Sequence, residues 1–161
     1  MLTQSARDSG LFREIDELMA ALSMRTVEVS DTVHQGTHQM RVVVSRPGGE
    51  VNTDDLAAAY NLIYPRYSVI FSDRDLELEV SSPGLQRSFR DTVEFSIFEG
   101  RDVRCYASSL SSYVIGRIGS SDDSSVTLLD CTVEDTGEKR DSLTLAFSDI
   151  AKAKLEYRWE A

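Results

Sequence analysis

Apolar and polar positions alternate in two rhythms along this chain, and the changes of rhythm mark out its elements. Leu11, Ile15, Leu18, Met19 and Leu22 recur at helical spacing, with Asp16 and Glu17 on the wet side, which predicts an amphipathic helix. Ser9 stands where an N-cap belongs, and the residues before it are expected to fray. Val27 and Val29 then alternate with Glu28 and Ser30. After the turn signal Gln35-Gly36-Thr37, Met40, Val42 and Val44 form a returning strand. Arg46-Pro47-Gly48-Gly49 breaks the ladder. Asn52 or Thr53 caps a second helix, with Asp54 and Asp55 at its positive end and Leu56, Ala59, Tyr60 and Ile63 on its buried face. Pro65 is expected to end that helix at about Tyr64, because proline disfavours helical backbone in the residue before it. Leu76, Leu78 and Val80 alternate with Glu77 and Glu79 in a third strand. The strand stops at Pro83-Gly84, which suits the central pair of a type II turn with Gly84 at positive φ. Leu85, Arg87 and Arg90 follow as an apolar foothold and a basic exit.

The pattern changes after Arg90. Thr92 to Phe98 reads as one short helical turn before Gly100. Short strands follow at Val103–Ala107, Val114–Ile118, Val126–Val133, Leu143–Phe147 and Lys152–Tyr157, separated by polar turns. Phe147-Ser148-Asp149-Ile150 reads as a tight helical turn before the last of them. Five short strands of this kind predict a small barrel, because closure removes exposed edges. The pattern resembles SH3-like and Sm-like barrels. The expected class is therefore α+β. An α-β-β-α-β two-layer domain over residues 9–82 precedes a joint at 83–90 and a small SH3-like or Sm-like β-barrel over 91–161.

The segment Glu79-Val80-Ser81-Ser82-Pro83-Gly84-Leu85-Gln86-Arg87 closely resembles the signature of the ribosome maturation factor RimP family. Other landmarks of the resemblance are Val27–Val29 with Met40–Val44, the helix start Gly49-Glu50-Val51-Asn52-Thr53-Asp54-Asp55, and Asp149-Ile150-Ala151-Lys152-Ala153-Lys154-Leu155. It extends roughly from Met24 to Tyr157. The chain departs from the family pattern at Gln86, where an acid is usual, and at Ser88-Phe89, where a Pro-Leu pair is usual. The resemblance implies a non-catalytic factor without a cofactor that assists assembly of the small (30S) ribosomal subunit. It would bind the immature subunit through a basic ribosomal protein and nearby rRNA. The resemblance marks Ser81, Ser82, Pro83, Gly84, Leu85 and Arg87 as the signature between the domains. A plain protein-interaction module unrelated to ribosomes is the alternative.

Composition narrows the function classes. The net charge is −10, divided evenly as −5 in residues 1–89 and −5 in residues 90–161. Such a chain is repelled by phosphate backbones in general and attracted to basic protein partners. The first twenty residues lack a basic stretch followed by a long apolar run, so no signal peptide or membrane span is read, and a cytoplasmic monomer is expected. Cys105 and Cys131, the only cysteines, fall in predicted strands and read as two reduced, packed thiols. His34 and His38, the only histidines, flank a hairpin turn and have no third ligand at metal spacing. The acid pairs Asp54-Asp55, Asp73/Asp75 and Asp122-Asp123 read as dipole partners or solvated loop groups rather than as acid–base pairs. Pro47-Gly48-Gly49 lacks the lysine of a phosphate loop. Arg87, Arg90, Arg101 and Arg104 remain. They suit either a grip on phosphates or carboxylates, or ion pairs with Glu77, Glu79 or Asp91. With Asp54 and Asp55 they are the candidate contacts to rRNA or a protein partner. Tyr157-Arg158-Trp159 could stack on a base or tuck aromatics onto the barrel.

Overall fold

In the computed structural model the Ser9 side chain accepts a hydrogen bond from the Phe12 N–H and starts helix α1, Gly10–Ala20. The structure describes residues 7, 9–47, 50–72 and 75–157; Gly48, Gly49, Asp73, Arg158 and Trp159, used in the sequence reading, lie outside them. Two compact units divide the chain between Pro83 and Gly84.

In the first unit α1 is followed by β1 (Arg25–His34), β2 (Thr37–Ser45), α2 (Thr53–Ile70) and β3 (Asp75–Ser81). β1 and β2 pair antiparallel, and β3 lies parallel to β2 after the α2 crossover, giving the order β1-β2-β3. The β1–β2 hairpin closes through Gln35 (φ 50°) and Gly36 (φ 80°), the two positive-φ residues of a type I′ turn whose twist matches the strands. One apolar core joins the layers: Ile15 and Met19 of α1, Met40, Val42 and Val44 of β2, and Ala59, Ile63 and Tyr67 of α2.

Helix α2 does not end at Tyr64. It runs through Pro65 to Ile70. Proline there removes one N–H and crowds the preceding turn, at a cost of about 3 kcal/mol. Tyr67, two residues past the proline and one turn beyond Ile63, is 2% exposed and completes the buried row Ala59-Ile63-Tyr67. Burying a side chain of that size contributes about 1.5–3 kcal/mol, so packing offsets the break. Asn52 supplies the N-cap, and its reciprocal bonds with Asp55 form a capping box.

The second unit holds a short helix α3 (Glu94–Ile97) and strands β4 (Asp102–Ala107), β5 (Ser112–Ser121), β6 (Ser125–Val133), β7 (Lys139–Ala146) and β8 (Ile150–Leu155). The five strands form one antiparallel sheet in the order β7-β6-β5-β4-β8. Its ladders leave it open, since among the described residues none joins β7 to β8. The 3₁₀ turn Phe147–Asp149 separates those strands and redirects the chain onto β4. Glycine is required where β5 crosses β6. A Cβ on Gly116 would stand 2.9 Å from the Cys131 Cβ and 3.3 Å from the Leu128 Cβ. Val103, Cys105, Val114, Ile118, Val126 and Leu128 line the core, each at most 1% exposed. In the same unit Phe89 meets Phe95 edge-to-face and stacks on Phe98, while Phe95 stacks on Phe147.

Candidate interaction surfaces

The signature segment builds an internal tie before it offers any surface. Gly84 does not take positive φ; among the described glycines only Gly36, Gly100 and Gly137 do. The expected turn at Pro83-Gly84 is replaced by one that closes later, where the Arg87 N–H donates to the Gly84 carbonyl at 3.1 Å. Closing there lets the chain run alongside β8. Phe89 N–H donates to Ala153 O at 2.8 Å, Leu155 N–H donates to Arg87 O at 2.9 Å, and Ser88 bridges Lys154. Residues 87–90, expected in the joint, therefore belong to the second unit.

Arg87 turns inward. Its Nε donates to Glu94 Oε1 at 2.8 Å and its NH2 to Glu94 Oε2 at 3.2 Å. The guanidinium side chain is 9% exposed and the carboxylate 0%. Glu94 also accepts from the Arg90 N–H at 2.7 Å and the Asp91 N–H at 3.4 Å, while its own N–H donates to Asp91 Oδ1 at 3.3 Å. Glu94 is not among Glu77, Glu79 and Asp91, the acids expected to pair with these arginines. The spacing Asp91-x-x-Glu94 was the available signal, since an acid followed three residues later by Glu marks a capping box.

Arg104 is placed differently. It stands on β4 with its guanidinium 3.8 Å above the Tyr113 ring and a bidentate pair to Glu134, 3.0 Å through Nε and 2.9 Å through NH2. That pair raises the Arg104 pKa above its ordinary value and lowers that of Glu134, in both cases chiefly through the shared hydrogen bonds. Arg104, Tyr113, Lys152 and Lys154 line a cleft of about 340 Å³ together with Ser88, Phe89, Ala151 and Ala153. Arg101 lies 5.9 Å from the Phe98 ring. Arg90 is exposed, and its backbone N–H is taken by Glu94.

The remaining candidates have structural settings. Asp55 accepts from Arg46 at 2.6 Å in addition to its capping role, whereas Asp54 is exposed in the first turn of α2. His38 stacks on Phe71 with centroids 3.9 Å apart and meets Asp31 at 3.2 Å. Asp122 accepts from the Ser124 and Ser125 N–H groups, which hold its carboxyl below the ordinary range. Cys105 and Cys131 are free and buried, and burial pushes the Cys105 thiol up to about 12. No group of His, Cys, Asp and Glu among the described residues could hold a metal ion. No helix among the described residues is long and apolar enough to cross a membrane.

Two comparisons bear on this chain. A family model for the RimP N-terminal domain matches residues 14–86, from within α1 to Gln86, one residue short of the Arg87 that closes the signature turn. Among solved structures, a novel Sm-like archaeal protein from Pyrobaculum aerophilum is similar at 19% identity with a TM-score of 0.37. That match covers 41% of this chain and 51% of the archaeal one, about half its length.

Proposed function

Because the chain belongs over residues 14–86 to the family of RimP N-terminal domains, we propose that it is a ribosome maturation factor that binds the immature small (30S) subunit and assists its assembly. The family match is the observation that carries this reading. The factor works by holding partners and has no catalytic cycle or cofactor. It acts in the cytoplasm as a monomer.

The charge distribution supports a basic ribosomal protein as one partner. Glu77 and Glu79 are exposed on β3. Asp123, Asp130, Asp135 and Asp141 are exposed in the second unit. Carboxylates spread over both units steer a basic partner and bind it in a salt-sensitive way. In this reading the second unit is a small barrel of the SH3-like or Sm-like kind. The register shifts at Tyr106/Ala107, Ile115/Arg117 and Ile118/Ser121 support it, since such bulges bend a sheet. The signature Ser81–Arg87 sets where the second unit begins, and Arg90, Arg101, Arg104 and Asp54 are the residues this reading assigns to contact with rRNA or protein. Deleting the gene tests the reading. Small subunits should accumulate with unprocessed rRNA and recover when the gene is restored; unchanged subunit and rRNA profiles would count against it.

A further inference from the structure

All three lysines of the chain lie after residue 138, and two of them, Lys152 and Lys154, stand on β8. The ladders put them in rows with β4 and β5. Tyr106 is opposite both Tyr113 and Lys152, and Arg104 is opposite both Ile115 and Lys154. Directly opposed residues share one face of a sheet, so Tyr113, Tyr106 and Lys152 form one row and Ile115, Arg104 and Lys154 the next. Tyr106 and Tyr113 meet edge-to-face at 5.1 Å. Two like charges directly opposite each other destabilise a sheet, and here that pairing occurs in a chain of net charge −10. Glu134 offsets part of it through Arg104, and Glu156 and Asp102 lie close by. No acid among the described residues pairs with Lys152 or Lys154.

We propose that this outer face of β5, β4 and β8, with its cleft, binds single-stranded RNA: the three cations Arg104, Lys154 and Lys152, drawn from two adjacent rows, take backbone phosphates and the Tyr106/Tyr113 pair takes a base. Cations alone would serve an acidic peptide equally well; the aromatic pair on the same face favours a ligand with both phosphates and flat rings. The cleft of about 340 Å³ lies at the small end of ligand pockets and admits one unit of an extended strand. Glu134 competes with phosphate for the Arg104 guanidinium, so the site is held partly shut by its own carboxylate. Only the source of the RNA, an unfinished subunit, rests on the maturation reading; the site itself does not.

The test is fluorescence anisotropy of the full chain with a short fluorescein-labelled uridine oligonucleotide, with circular dichroism confirming that each variant folds. With three phosphate contacts, affinity should fall about twentyfold between 50 and 200 mM salt. Lys152→Ala with Lys154→Ala should weaken binding about tenfold or more and reduce the salt slope by about 1.4. Tyr106→Leu should weaken it about fivefold or more. Glu134→Gln should strengthen it by releasing Arg104, which a merely structural carboxylate would not do. Absence of binding by the wild type, equal binding by the double-lysine variant, no gain in Glu134→Gln, or equal competition by polyglutamate would overturn the proposal. If RNA binding fails while the chain still co-sediments with small subunits, the RNA site falls and the maturation reading stands. The opposite result separates them the other way.

Discussion

Replacing Glu94 by Gln probes the tie that the signature arginine makes. The change keeps the shape of the side chain and one acceptor oxygen, and removes the charge. Arg87, 9% exposed, is then left with its positive charge inside the second unit and no carboxylate at Glu94 to answer it. Removing one partner of a buried ion pair costs about 3–5 kcal/mol, whereas a pair in water is worth about 0–1 kcal/mol. The 0% exposure of the carboxylate decides which figure applies. Glu94→Ala should be worse, because the Arg90 and Asp91 N–H groups also lose their acceptor. Arg87→Met leaves the carboxylate buried without that cation and should cost about as much as Glu94→Gln. The double change Arg87→Met with Glu94→Gln should recover part of the loss, since both charges of the facing pair are then removed together. Urea unfolding followed by circular dichroism measures this as the midpoint shift of the second unit's transition. A Glu94→Gln protein within about 1 kcal/mol of wild type would refute the reasoning.

Gly116→Ala should destabilise the second unit by about 1–3 kcal/mol, because the new methyl meets the Cys131 Cβ at 2.9 Å inside a packed sheet; an unchanged thermal midpoint would contradict that. Cys105, fully buried, should react with a thiol reagent at pH 8 only as fast as the chain unfolds, and faster labelling would refute the burial argument. Its pKa is about 12 in the folded chain against 9.0 ordinarily, so its contribution to stability is intact below pH 9 and is lost as pH rises from there toward 12. From pH 8 to 10 this removes on the order of 1 kcal/mol of stability, and Cys105→Ala should remove that share of the decline.

The sequence makes the elements legible where the deciding interaction is local. Ser9 and Asn52 cap the helices they precede. Gln35-Gly36 turns the hairpin, and the alternation at 76–80 is a strand. Expectation fails where a distant contact decides. Pro65 carries a local stop signal that the burial of Tyr67 overrides. The turn near Gly84 shifts because residues 87–89 pair with β8, some 65 residues later. The candidate site divides in the same way. The signature and the basic cluster are visible as residue types. Their partners are not: Glu134 lies 30 residues from Arg104. The pairing of β4 with β8 that sets Lys152 and Lys154 beside Tyr106 and Arg104 leaves no mark in either strand alone.

The central claim is that this chain handles unfinished small subunits. Sucrose-gradient sedimentation of a lysate carrying the tagged full chain tests it most directly. The chain should co-migrate with free small subunits, be absent from assembled ribosomes, and dissociate as salt is raised. A chain that stays at the top of the gradient at low salt, or travels with assembled ribosomes, would contradict the account.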